Sequence, residues 1–329
     1  MSFFIGPIRI DDPVLLAPMS GVSDLPFRRL VKSFGAGLVF SEMIASRPSI
    51  EQYRGSPKAS RDYADEFPMA VQLAGCEPDI MAEAARIHES RGAAIIDINF
   101  GCPVKKVVTN FAGSALMRDE KLATEIMATV VKAVKVPVTV KMRLGWDENS
   151  MNAPRLAKIA QDVGIQMVTV HGRTRNQLYN GAANWDAIRS VKDAITLPLI
   201  VNGDITNAAK ADEALNLSGA DGVMIGRGTY GKPWLVRQIM DHVKNKKILP
   251  DPTLQERANI IQKHYDALLS HYGVHNGNQI ARKHIGWYVG GLPGADDMRG
   301  RINRMDDPVY VKSELQTYFD GMLDYAQAA

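Results

Sequence analysis

The sequence predicts a (β/α)8 TIM barrel followed by a small all-helical domain, on three observations. Eight short apolar runs recur between residues 1 and 235, each ending in a polar or Gly/Pro turn. Helical patterns fill the intervals between the runs. The rhythm stops near Lys244, where "KNKKILPDP" reads as a charged, Pro-rich linker, and the residues beyond it carry helical spacing only. A doubly wound open sheet is the competing arrangement, but the strand count and even spacing favour the closed barrel.

The runs, in order, are Val14–Met19, Leu38–Met43, Met69–Leu73, Ala94–Asn99, Val138–Leu144, Met167–His171, Leu199–Gly203 and Gly222–Gly226. They are short, mostly apolar and rich in β-branched residues, as expected of strands. Asp119 to Lys135 is the clearest helix, with acids in its first turn and lysines in its last, as the helix dipole favours. Thr206 is placed to cap the next helical segment, which Gly219 ends. Beyond the linker, Leu254–Tyr272 and Gln279–Val289 have helical spacing. The expected division is a catalytic domain over 1–244 and a helical domain over 245–329.

Composition narrows the class. Of 329 residues 46% are hydrophobic, enough for a substantial core, and the net charge of +3 tolerates an anionic partner without demanding one. From Asp241 onward eleven Lys/Arg balance eleven Asp/Glu, although basic clusters occur at Lys244-Lys246-Lys247, Arg282-Lys283-His284 and Arg299-Arg301-Arg304. Two cysteines without a CxxC pair argue against a disulfide scaffold, a structural zinc site or a cysteine-bound cluster. No metal is expected. "MSFFIGPIRIDDP" lacks the basic and apolar regions of a secretory signal, and no apolar run is long enough to span a bilayer. A monomeric cytoplasmic protein without membrane contact is the expectation.

A barrel places its chemistry at the C-terminal strand ends, and these ends are polar. Gln72 closes the third run. Asn99 and Cys102 close the fourth, Lys141 and Arg143 the fifth, and "HGRTR" (His171 to Arg175) the sixth. "NGD" (Asn202 to Asp204) and "GRGTYG" (Gly226 to Gly231) close the last two. Each residue alone has a structural explanation, and Cys76 is expected to be an ordinary buried cysteine. Together they are hard to explain by packing, since a core would take Val, Ile or Leu at these positions. Lys141 and Arg143, two apart on one strand, face the same side. Backbone N–H groups at Gly226 and Gly228, with Arg227 and a helix start near Pro233, suit a phosphate monoester. FMN accounts for the parts jointly: phosphate at the last two strands, Gln72 on the polar ring edge, Lys141 against negative charge on the reduced ring.

The segments "LLAPMSGVSDLPFR", "INFGCPVKKV", "VTVKMRLG", "TVHGRTR", "YNGAANWDAI", "VNGDI" and "GVMIGRG" together resemble the tRNA-dihydrouridine synthases. "CPVKKV" and the Arg282-Lys283-His284 cluster followed by Trp287-Tyr288 are most similar to the bacterial B-type subgroup. The resemblance implies a barrel that holds FMN, NADPH as electron donor, and a helical domain that grips tRNA for reduction of a D-loop uridine. It implies FMN contacts at Ala17, Pro18, Met19, Gln72, Lys141, His171, Asn202, Gly203, Asp204, Gly226 and Arg227. Asn99 and Arg143 would hold the uracil, with Cys102 as general acid. Arg173, Arg175, Arg282 and Lys283 also face the substrate on this reading. U17 is the target suggested by the subgroup. One departure is Val108-Thr109-Asn110-Phe111, where family members often carry basic residues. Three alternatives use the same residues: an FMN barrel acting on a free pyrimidine, an aldolase with Lys141 as Schiff base, and a non-catalytic RNA chaperone.

Overall fold

The computed structural model describes residues 2–53, 63 and 66–328. A hairpin of β1 (Phe3–Ile5) and β2 (Ile8–Ile10) precedes the barrel. The barrel strands are β3 (Val14–Leu16), β4 (Leu38–Phe40), β6 (Met69–Ala74), β7 (Ile95–Phe100), β8 (Val138–Arg143), β9 (Met167–His171), β10 (Leu199–Asn202) and β11 (Gly222–Ile225), with the two-residue β5 (Ile44–Ala45) alongside β6. All barrel neighbours pair in parallel, β11 returns to β3, and the β4–β6 pairing through Val39 and Met69 closes the ring. The expected eight-stranded barrel is therefore observed.

The strand pattern divides the apolar residues into two layers. Val14, Leu16, Val39, Val71, Ile96, Ile98, Val140, Val168 and Val201 point outward into a cluster shared with the helices. Leu15, Leu38, Phe40, Ala70, Ile95, Met167, Ile200 and Met224 fill the interior, and Phe3, Ile5 and Ile10 of the hairpin pack with them. The sequence pattern does not predict this hairpin. On β7 the interior series starting at Ile95 continues, by the two-residue period, to Asp97 and Asn99, so the filling changes from apolar to polar toward the C-terminal mouth.

Around the barrel run α1 (Leu25–Ser33), α2 (Ser46–Tyr53), α3 (Pro78–Ser90), α4 (Lys105–Val108), α5 (Glu120–Ala133), α6 (Ala153–Asp162), α7 (Arg189–Ala194), α8 (Ala208–Ser218) and α9 (Leu235–Asn245). Asp119 caps α5 through its side chain. The expected cap at Thr206 is corrected to Asn207, whose Oδ1 accepts from Lys210 N at 2.9 Å. One residue further on, the amide oxygen reaches the third N–H of the helix.

Four more helices complete the chain: α10 (Leu254–Tyr272), α11 (Val274–Val289), α12 (Ala295–Ile302) and α13 (Pro308–Ala328). Thr253 and Glu256 form a reciprocal capping box on α10. These helices enclose their own apolar cluster around Ile261, Tyr265, Ile285, Met298 and Phe319, which Leu30 of α1 and Trp234 join from the barrel side. Tyr272 donates to Asp24 Oδ2 at 3.1 Å, Lys283 donates to the Gly21 carbonyl, and Trp287 stacks on Tyr230. The helices are thereby fixed against the loops after β3 and β11, at the barrel mouth. No described helix is long and apolar enough to cross a membrane.

Candidate active site

A cavity of about 640 Å³ opens at the C-terminal mouth, within the size range of small-molecule sites. Its lining includes Ala17, Pro18, Met19, Gln72, Asn99, Cys102, Lys141, Arg143, His171, Asn202, Gly203, Asp204, Gly226 and Arg227, which converge from seven of the eight strands. Arg173, Arg175, Arg282 and Lys283 do not line it.

One wall is a glycine-rich cradle. Gly203 has φ +115°, a conformation that L side chains rarely adopt, and Asp204 follows in the left-handed region. A Cβ at Gly228 would stand 2.5 Å from the Ile205 carbonyl, so this turn requires glycine. The N–H groups of Gly226, Arg227 and Gly228 find no acceptor among the described residues. They lie at the start of a short 3-10 turn, where the first donors have no internal partner. Three such donors and Arg227 fit a phosphate monoester. Arg227 is held in place by Asp204, whose Oδ1 accepts from it at 3.3 Å. Burial alone would raise the Asp204 carboxyl, but bonds from Arg173 and the Ala183 N–H outweigh it and hold it low.

Arg173 is corrected from the substrate role expected of it. It is 1% exposed, and its donors are committed to the carbonyls of Asn180 and Gly181, to Asp204 and to His171 Nε2. Since an arginine can only donate, Nε2 is an acceptor, and neutral His171 carries its proton on Nδ1. Burial, and after it the charges of Lys141 and Arg143, push His171 well below its ordinary value.

The opposite wall carries β7 and β8. Arg143 donates to the carbonyls of Gly101, Thr174 and Leu178 at 2.9, 2.7 and 2.7 Å. Only its Nη2 remains for a ligand, and burial lowers it to about 10. Lys141 pairs in register with Asn99 of β7. Burial and then Arg143 push its ammonium down to about 8, which makes it readily responsive to an anion beside it. Cys102 is partly exposed, and burial raises its thiol against the pull of the Val104 N–H, Arg143 and Lys141. A raised thiol stays protonated near neutral pH, which suits a proton donor better than a nucleophile. Cys76 is partly exposed rather than buried as expected, because it lies on the turn leading into α3.

Arg175 stands 4.6 Å from the Trp146 ring centroid with Arg118 at 4.7 Å, beside a wider surface hollow of about 920 Å³. Arg282 pairs with Asp306 at 2.9 Å. Two features of the site are not among those expected from sequence. Tyr179, 50% exposed at the cavity rim, has the guanidinium groups of Arg227 and Arg143 at 4.9 and 5.5 Å from its ring. Its signal is present in the "YNGAANWDAI" segment. Asp97 lies fully buried beneath Gln72. A carboxylate interrupting the apolar run of β7 is its signal.

Among the described residues no group of three or more His, Cys, Asp or Glu is placed to hold a metal ion.

The family described as dihydrouridine synthase (Dus) matches residues 15–322. The chain is 58% identical over 321 residues to a probable tRNA-dihydrouridine synthase of Rickettsia prowazekii, covering 97% of this chain and 98% of that relative. It is 43% identical over 319 residues to tRNA-dihydrouridine synthase B of Pasteurella multocida, covering 97% and 96%. Among solved structures it resembles a morphinone reductase variant in complex with tetrahydroNAD (TM-score 0.53, 14% identity, 72% of this chain and 89% of that one). It also resembles TcOYE with pHBA (TM-score 0.55, 12% identity, 77% and 94%). At such identities these two likenesses speak for the barrel fold alone. The family match spans nearly the whole chain, and the chain belongs to the dihydrouridine synthase family.

Proposed function

We propose that the protein reduces a D-loop uridine of tRNA to 5,6-dihydrouridine, with FMN in the barrel mouth and NADPH as electron donor. The observation that carries this reading is the convergence, on one cavity, of the glycine cradle at Gly226–Gly228, Lys141, and Cys102 with Asn99. Family membership and the tRNA substrate in the relatives' names support it.

In this reading Gly226, Arg227, Gly228 and the Arg227 side chain bind the FMN phosphate, and Asn202, Gly203 and Asp204 form the adjoining wall. Ala17, Pro18 and Met19 pack against the flavin, His171 offers Nδ1–H, and Gln72 meets the polar edge of the ring. When bound and reduced, FMN supplies hydride to C6 of the uracil. Lys141 stabilises negative charge beside it. The Asn99 amide and Arg143 Nη2 hold the uracil. As charge develops at C5 and O4, the Cys102 thiol donates its proton to C5. Lys141 lies close enough to favour the thiolate that remains, as its electrostatic effect on Cys102 indicates.

The target base must leave its stack to reach this cavity. The helices from α10 to α13 serve as the tRNA-binding unit. Lys105, Lys106, Arg175, Arg282 and Lys283 supply candidate phosphate contacts, although Lys283 and Arg282 also hold protein groups. U17 is the favoured target, and the cytoplasm is the place where such a substrate is met. Mapping dihydrouridine in tRNA from a deletion strain tests the whole reading. Loss at one D-loop position supports it, and an unchanged map overturns it.

A further inference from the structure

The fully buried carboxylate of Asp97 lies one layer below the cavity and is used by none of the roles above. Its Oδ1 accepts from Thr139 Oγ1 at 2.6 Å and its Oδ2 from Gln72 Nε2 at 2.7 Å. Gln72 Oε1 in turn accepts from Asn99 Nδ2 at 2.7 Å. Asn99 Oδ1 then accepts from the backbone N–H groups of Gly101 and Cys102, at 3.0 and 2.8 Å. Groups on β6, β7 and the turn beyond it form one directed chain.

The chemistry at both ends fixes the direction. An ionised carboxylate only accepts, and a backbone N–H only donates. Between these ends, the two amides have one orientation that satisfies every bond. Turning either amide over would set N–H against N–H, or oxygen against oxygen, in a buried site. We propose that Asp97 is a positioning residue that sets the polarity of Gln72 and Asn99, and through Asn99 holds the turn that carries Cys102. It also defines what Asn99 can read. Both lone pairs of Asn99 Oδ1 are taken, so the side chain has only an N–H left to offer. Asn99 therefore recognises a carbonyl oxygen, which uracil presents beside C5 and cytosine replaces with an amino group. This second consequence rests on the proposed uridine chemistry, whereas the hold on the Cys102 turn does not.

The carboxyl itself is pushed up to about 6 by burial, against bonds from Thr139 and Gln72 and the charge of Lys141, so it is ionised at neutral pH. Replacing it by an amide removes the acceptor-only end without changing its shape. An Asn at position 97 can keep Gln72 as donor only by turning its N–H onto Thr139 Oγ1, whose buried hydroxyl then loses its acceptor, so Asp97→Asn is expected to loosen the turn. Alkylation of Cys102 by iodoacetamide, read by peptide mass spectrometry on the purified chain, should then rise by about fivefold or more, with Cys76 as an unchanged internal control. The compensating variant carries Asp97→Asn with Gln72→Glu. It moves the acceptor-only group one place along the chain, restores the demand on Asn99 Nδ2, and should return the Cys102 rate toward the parent. A single variant within twofold of the parent, or a double variant no closer to it, overturns the proposal.

If the single variant does not fold, the double should, since it leaves no bond frustrated. If neither folds, the unaltered chain decides: deuterium exchange over residues 99–104 must show protected Gly101 and Cys102 amides, and exchange at the rate of a free loop overturns the chain of bonds. None of these readouts needs turnover. A protein that failed to make dihydrouridine would leave the proposal standing or falling on its own data.

Discussion

Trp287 of α11 lies flat on Tyr230 at the cavity rim, with ring centroids 4.1 Å apart and planes 12° from parallel. This stack ties the helical unit to the loop after β11, the same loop that carries the glycine cradle. Gly231, in the left-handed region at φ +67°, lets the two backbones approach at this point.

Trp287→Ala should therefore loosen the docking of the helical unit. The expected loss is about 2 kcal/mol of stability, from lost stacking and a partly buried indole. Thermal unfolding followed by circular dichroism measures it, and Trp287→Phe should recover about half. The same change should raise the KM for tRNA more than it lowers kcat.

The interface also makes stability acid-sensitive. His264 and His284 pack against Phe27 with centroids 5.6 and 5.7 Å away, and burial lowers them to about 3 and about 2. Both are neutral in the folded state. In the unfolded chain they take up protons below about pH 6.5, so the unfolded state binds more protons and stability falls as pH drops. The effect fades over about one pH unit above 6.5. Between pH 6.5 and 4 the two should contribute up to about 2.7 kcal/mol per pH unit. Urea unfolding across this window should show a shallower slope in His264→Gln/His284→Gln than in the parent, and equal slopes would contradict the assignment.

In the proposed reading, FMN binding depends on the turn at Gly228. Gly228→Ala places a methyl group 2.5 Å from the Ile205 carbonyl and must displace the turn that presents the N–H donors. FMN affinity should fall by about tenfold or more, the equivalent of one lost charge-assisted bond. Flavin absorbance of the purified protein, titrated with FMN, measures it.

Tyr179→Ala should weaken tRNA binding more than FMN binding, since its ring meets the flavin phosphate site only through the Arg227 guanidinium. Base stacking on an exposed ring is worth about 1–3 kcal/mol, so the KM for tRNA should rise about tenfold. Fluorescence anisotropy with labelled tRNA, alongside flavin titration, separates the two effects.

The barrel was legible in the sequence because each strand is a short apolar run, and the expected residues that line the cavity stand where such runs end. Fourteen expected residues line the cavity, from Ala17 to Arg227, because strand ends are read off the same pattern that makes the strands. The periphery was less legible. Arg173 of "HGRTR" is expected from the resemblance to face the substrate, yet the loop at Asn180 and Gly181 folds back over it and takes its donors. Tyr179 lies on that same loop, and no periodicity indicates where a loop side chain will rest. Lys283 reads as an RNA contact, and its tie to the Gly21 carbonyl depends on docking between distant segments. The β1–β2 hairpin escapes the sequence pattern because three-residue strands leave too short a pattern to read.

The central claim is that Cys102 delivers a proton to a uracil held in this cavity. Unmodified tRNA incubated with FMN-loaded protein and NADPH, then digested for nucleoside mass spectrometry, tests it most directly. The parent should form dihydrouridine at one D-loop position. Cys102→Ala, still binding flavin, should do so about 100- to 10,000-fold more slowly. Parental rates from Cys102→Ala, or turnover of free uridine with tRNA left untouched, would contradict the account.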